Sequence, residues 1–158
     1  MKLRLTALGL GLLLTFSASA GAATPKPTPA MMKPVQALLQ ALNTNSTAPA
    51  AGALTSTAVI VDEFAPFRWS GPSAASSYLS SFGSMMKAAK LSNVHGTLGK
   101  VTAFDRAGNR AYMVIATDVA ATMNGKRSVE HGTWTFTLLS SGGTWQIDSV
   151  TWGTVSGP

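Results

Sequence analysis

Asp62 and Glu63 are adjacent carboxylates followed closely by Phe64, Phe67 and Trp69. A carboxylate set into an apolar wall is desolvated, which raises its pKa and suits it to act as a general base. Asp62 is therefore the candidate base, flanked by the apolar Val61 and Phe64. The alternative is that both acids are solvated or pair with Arg68. His95 and His131 are the only histidines. His131, or Tyr112, is the candidate to assist Asp62 in proton transfer. A hydrogen-bonded structural histidine remains the simpler reading for each.

The apolar complement of such a site would come from Phe64, Phe67, Trp69 and Tyr78 on one side. Trp134, Trp145 and Trp152 would supply the other. The three tryptophans suit a pocket wall, a bulky core or a sheet-to-sheet interface equally well.

Other chemistries find little support. Two histidines far apart lack metal-ligand spacing, so no metal is expected. No Gly-x-Ser-x-Gly elbow occurs. Gly96-Thr-Leu-Gly99 lacks the length and the lysine of a phosphate loop. No cofactor is expected. The formal charge is +6, but the basic residues are scattered over turns and one helix end, so nucleic-acid binding is not expected.

The address is read from the start of the chain. Lys2 and Arg4 precede an apolar run, Leu5–Phe16, and small residues Ala18-Ser-Ala20 and Gly21-Ala-Ala23 follow. This is the pattern of a cleaved secretory signal over residues 1–23. The expected location is secreted or periplasmic, with no stable membrane insertion of the mature chain. Losing Lys2 and Arg4 lowers the twelve basic residues to ten against six acids, a net +4. With no cysteine there is no disulfide, so the exported domain must be held by its core.

The elements that would position the site follow in order. Prolines at 25, 27 and 29 suggest an extended tether over residues 24–30, with a domain over 31–158. Pro34 fits the first turn of a helix whose Val35, Leu38, Leu39 and Leu42 form a stripe. Ala48–Leu54 is a possible second helical piece. Thr57–Val61 reads as a short buried strand that ends at Asp62. Trp69-Ser-Gly-Pro72 then starts a helix to Lys90, capped by Ser70 or Gly71 with Pro72 in its first turn. Tyr78, Leu79, Phe82, Met85 and Met86 share its apolar face.

From Val94 the period changes to two. Val94–Phe104, Arg110–Met123, Arg127–Ser140 and Thr144–Val155 read as four antiparallel strands. Asn124-Gly125 is a two-residue hairpin signal. Met113, Ile115 and Thr117 share one side of the second strand, and Trp134, Phe136 and Leu138 one side of the third. Trp152 has the opposite parity to Trp145 and Ile147, which predicts a bulge near Ser149–Thr151. Helices first and a meander last give an α+β fold, with helices covering one face of the sheet.

This ordered set resembles the SnoaL-like branch of the NTF2-like (cystatin-like α+β) superfamily. The residues that carry the resemblance are Val61-Asp-Glu-Phe64, the Trp69-Ser-Gly-Pro72 helix start, Gly143-Thr-Trp-Gln-Ile147 and Trp152, over about residues 31–155. The resemblance implies a cone: helices on a strongly curved antiparallel sheet, a pocket between them, and frequent homodimers through the sheet. The aromatic-rich wall with few acids or bases makes the expected function the holding of a small apolar molecule in that cone; the alternatives are an isomerase, cyclase or dehydratase using Asp62, and a non-catalytic dimerising domain whose cone is plugged. The steroid-isomerase pattern adds an oxyanion partner, typically a tyrosine on the first helix. Val35–Leu42 has no tyrosine and no acid.

Overall fold

Alternation along the second and third of the four long strands sets one face of the sheet inward. Ala111, Met113, Ile115 and Thr117 are buried while Tyr112 and Asp118 are exposed. Trp134, Phe136 and Leu138 are buried beside them. Two helices cover this face and seal most of it from water. The computed structural model describes residues 25–155. The segment read as a secretory signal, residues 1–23, lies outside the described residues.

The elements are α1 (Pro29–Thr44), a short 3-10 turn (Ala48–Ala50), β1 (Leu54–Val61), β2 (Arg68–Ser70), α2 (Ala74–Ala88), β3 (Leu91–Ala107), β4 (Arg110–Met123), β5 (Lys126–Ser141) and β6 (Thr144–Thr154). One open six-stranded sheet runs in the order β2-β1-β6-β5-β4-β3. β1 lies parallel to β6, and the other neighbours are antiparallel, so the sheet is mixed. The helical cover, the meander and the curvature make this an α+β cone. No helix among the described residues is long and apolar enough to cross a membrane.

Several boundaries differ from the sequence reading. α1 starts at Pro29, so the extended stretch is shorter than residues 24–30 and Pro34 lies inside the helix. Burial explains it. Met31 and Pro34 join Val35, Leu38 and Leu42 against the core, and that packing outweighs one missing N–H donor. The second helical piece is only one 3-10 turn, because the chain becomes β1 at Leu54. β2 carries no sign in the sequence, because it is three residues long and begins two residues after Pro66. α2 begins at Ala74 with Ser73 at its N-cap, and neither Ser70 nor Gly71 caps it.

Two devices shape the cone. Asn124 and Gly125, at φ 51° and 75°, form the tight β4–β5 turn, where glycine accepts a left-handed backbone. Register shifts along β3 between Ser92 and His95, Leu98 and Val101, and Val101 and Ala103 let that strand bend. On β6 the extra residue is Asp148, since Thr137 pairs with Ser149 and Leu138 with Ile147. The bulge lies one residue before the stretch expected for it. It brings Val150 and Trp152 to the same face as Trp145 and Ile147, as their parity required.

Candidate functional site

β1 delivers Asp62 to the open end of the cone. Its backbone pairs with β6 on one side and with β2 on the other, through Val61↔Thr151 and Val61↔Arg68. The turn that follows is closed by Phe67 N–H donating to the Phe64 carbonyl (2.8 Å) and Asp62 N–H to the Phe67 carbonyl (3.2 Å). The carboxylate thus faces α2. Tyr78, one turn into that helix, donates its hydroxyl proton to Asp62 Oδ2 at 2.7 Å. The Glu63 backbone N–H donates to Asp62 Oδ1, also at 2.7 Å. Each carboxylate oxygen keeps a further lone pair.

Burial pushes the Asp62 carboxyl above its usual range. The Tyr78 and Glu63 hydrogen bonds oppose this by favouring the charged form, and the Glu63 and Glu130 charges add to it. Burial beside Asp62 also raises the Tyr78 hydroxyl well above 10.0, so the tyrosine stays a proton donor across the neutral range. The phenol ring is fixed by its neighbours. Trp69 meets it edge-on at 5.0 Å and Phe64 stacks at 5.8 Å. The Trp69 indole N–H donates to Ser81 Oγ at 3.1 Å.

Beside this pair lies a cavity of about 190 Å³. For scale, an apolar cavity of about 150 Å³ accepts benzene. Its floor and walls come from Leu39, Leu42 and Asn43 of α1, Tyr78, Phe82, Met85 and Met86 of α2, and Thr117, Val119, Trp134 and Trp152 of the sheet. Asp62, Glu63 and Glu130 are its acidic members. Asn43 ties the α1 end to β3 across the rim, with Nδ2 donating to the Gly96 carbonyl (3.0 Å) and Oδ1 accepting from its N–H (2.7 Å). A larger open trough near Gly52 and Gln146 has no titratable group in its lining.

Of the residues singled out in the sequence, Asp62, Phe64, Tyr78, Trp134 and Trp152 line this cavity. Trp69 stands behind Tyr78 as a supporting layer. Trp145 is buried elsewhere on β6, with the Arg106 guanidinium 5.3 Å from its ring centroid. Phe67 is 57% exposed in the turn after Asp62.

His131 and Tyr112 do not reach Asp62. Both have outward parity on their strands. His131 Nδ1 lies 2.7 Å from Asp118 Oδ1 on the solvent face, and Tyr112 is exposed on that same face. The structure therefore separates them from the cavity by the thickness of the sheet.

Glu130, Ser128, Asn43 and the Met85–Met86 pair also line the cavity, although the sequence does not single them out as site residues. The signal for the first two was available. Residues 128 and 130 continue the inward parity of Gly132, Trp134 and Phe136. Among the described residues no group of three or more His, Cys, Asp or Glu could hold a metal ion.

No protein-family model matches the chain, and no curated protein sequence matches it. Solved structures do. A protein assigned as a scytalone dehydratase from Novosphingobium aromaticivorans aligns with a TM-score of 0.64 at 13% identity, covering 80% of this chain and 83% of its own. A hexachlorocyclohexane dehydrochlorinase from Novosphingobium barchaimii gives 0.68 at 9% identity, with 80% and 85% covered. A ketosteroid isomerase-like protein from Erwinia carotovora atroseptica gives 0.61 at 17%, with 81% and 95% covered. The fold is the NTF2-like (cystatin-like) α+β cone. At these identities the likeness establishes the fold alone, and function lives in the site.

Proposed function

We propose that this NTF2-like domain binds a small, largely apolar molecule in its cone. The observation that supports the reading is the cavity of about 190 Å³, open at one end and walled by Phe82, Met85, Met86, Trp134 and Trp152. Phe82 and the two methionines border the space instead of plugging it, which argues against a sealed interaction domain. The direct test is titration of the protein with toluene or indole, followed by the tryptophan side-chain N–H resonances. Saturable shifts at Trp134 and Trp152 are expected. Shifts confined to Phe67 and other exposed groups would overturn the reading.

One observation favours an acid–base enzyme on the same site. Asp62 combines burial, a raised pKa and a fixed donor in Tyr78 on the cavity wall. The neighbours' names describe loss of water, loss of hydrogen chloride and isomerisation of a ketosteroid. Each can begin with a base removing a proton from carbon, the bonding pair then shifting to form a double bond. Asp62 would take that proton while Tyr78 holds its other oxygen. Deuterium wash-in from solvent to 2-tetralone measures the step, and Asp62→Asn is expected to abolish it. Exchange by the wild type no faster than in buffer refutes the enzyme reading for this probe.

Export and self-association belong to the same proposal. The basic start and the Leu5–Phe16 run support a cleaved signal. N-terminal sequencing of protein recovered outside the cytoplasm tests it. The exposed side of β4 and β5 would pair two copies, and sedimentation at micromolar concentration gives the answer.

A further inference from the structure

Charge is distributed unevenly around the cone. The chain carries twelve Lys and Arg against six Asp and Glu. Yet the charged side chains lining the cavity are Asp62, Glu63 and Glu130, half of all the acids, with no lysine, arginine or histidine beside them. Asp118 and Asp148 have cationic or imidazole partners in His131 and Arg110. Among the described residues the three cavity acids form no such pair.

The two acids at the rim are held close together. Thr154 Oγ1 lies 2.6 Å from Glu63 Oε2 and 2.7 Å from Glu130 Oε1. One hydroxyl has one proton to donate, so it serves one carboxylate at a time and leaves the other facing it unaided. Like charges so placed repel, and a cation between them relieves the repulsion. The walls suit the same visitor. Trp134 and Trp152 stand edge-to-face at 6.5 Å, and Phe64, Tyr78 and Phe82 form an aromatic group opposite the sheet. Aromatic faces attract cations, tryptophan best of all. Glu63 and Glu130 are exposed whereas Tyr78 and Trp134 are buried, so charge belongs at the mouth and apolar bulk further in.

We infer that the ligand of this cavity is an organic cation, an amine or quaternary ammonium carried on an apolar body of about one ring. The inference rests on the proposed cone-binding function and narrows its chemical class. Anionic molecules are excluded by the same three carboxylates.

Three benzyl probes separate the possibilities: benzyltrimethylammonium, its neutral carbon isostere neopentylbenzene, and the smaller anion phenylacetate. Binding is read from the tryptophan fluorescence of the full chain. The cation is expected to bind about tenfold tighter than the isostere, and phenylacetate weakest. The advantage should shrink at about 1 M salt, where the Debye length falls to about 3 Å. Glu63→Gln and Glu130→Gln, both at exposed positions, should each narrow the ratio of cation to isostere. Equal binding of cation and isostere overturns the charge selection and leaves the apolar cavity standing. Binding of the isostere alone does the same. Binding of no probe overturns both.

Discussion

Replacing Tyr78 by phenylalanine isolates the contact on which the site is built. The ring stays, so its packing at 5.0 Å from Trp69 and 5.8 Å from Phe64 is retained, and no cavity term enters. What goes is a donor, in a side chain that is 4% exposed, at 2.7 Å from Asp62 Oδ2. Hydrogen bonds to charged groups are worth about 1.5–3 kcal/mol and neutral ones about 0.5–1.5 kcal/mol. The variant should therefore lose about 2 kcal/mol at pH 7 and about 1 kcal/mol once Asp62 is protonated. The hydrogen bond favours the charged carboxylate, so its loss also pushes the Asp62 pKa further up. The assay is urea unfolding of both proteins by tryptophan fluorescence over a pH series. A double cycle with Asp62→Asn assigns the pH-dependent part to this pair. A stability difference that is flat with pH, or below about 0.5 kcal/mol at neutral pH, refutes the account of Asp62 as a carboxylate steadied by Tyr78.

Asp62→Asn alone should stabilise the fold at neutral pH by about 0.5–2 kcal/mol, as removal of a strained functional group commonly does. The sign follows from linkage. The folded carboxyl titrates above its usual 3.8, so the folded state holds the extra proton from about that pH upward. The stability this gives is full below 3.8 and is lost as pH rises through the folded value. Wild type and variant should thus converge in acid and diverge near pH 7 in thermal melts. Gly132→Ala probes the cavity wall. A Cβ there would lie 2.4 Å from Trp152 ring carbons and 2.8 Å from the Gly153 carbonyl oxygen. Overpacking of this kind costs about 1–3 kcal/mol, and it should shift Trp152 and its emission maximum, seen in equilibrium unfolding followed by fluorescence.

The sheet was legible where period-two alternation is long, in β4 and β5, because one-sided burial leaves a clear record along Ala111–Thr117 and Gly132–Leu138. Even the bulge on β6 was announced by the parity of Trp145 and Trp152, though its position moved by one residue to Asp148. Proline and glycine misled at the helix starts. Pro34 reads as a boundary, yet burial of Met31 and Pro34 extends α1 back to Pro29. The parallel β1–β6 pairing left no local sign, since it joins residues some ninety positions apart. Asp62 was legible from its place between an apolar strand and aromatics. Its bond to Tyr78 was not, because a hydroxyl's target depends on where a helix docks. His131 and Tyr112 were drawn toward the site by their chemistry, against the outward parity of their own strands.

The Asp62 carboxyl resonance, titrated by NMR with and without toluene, tests the central claim most directly. The account predicts a value above 3.8 in the free protein, pushed further up when an apolar molecule displaces water from the cone, with matching shifts at Trp134 and Trp152. An Asp62 that titrates at its usual value and ignores the ligand would contradict a desolvated carboxylate on the wall of a binding cavity.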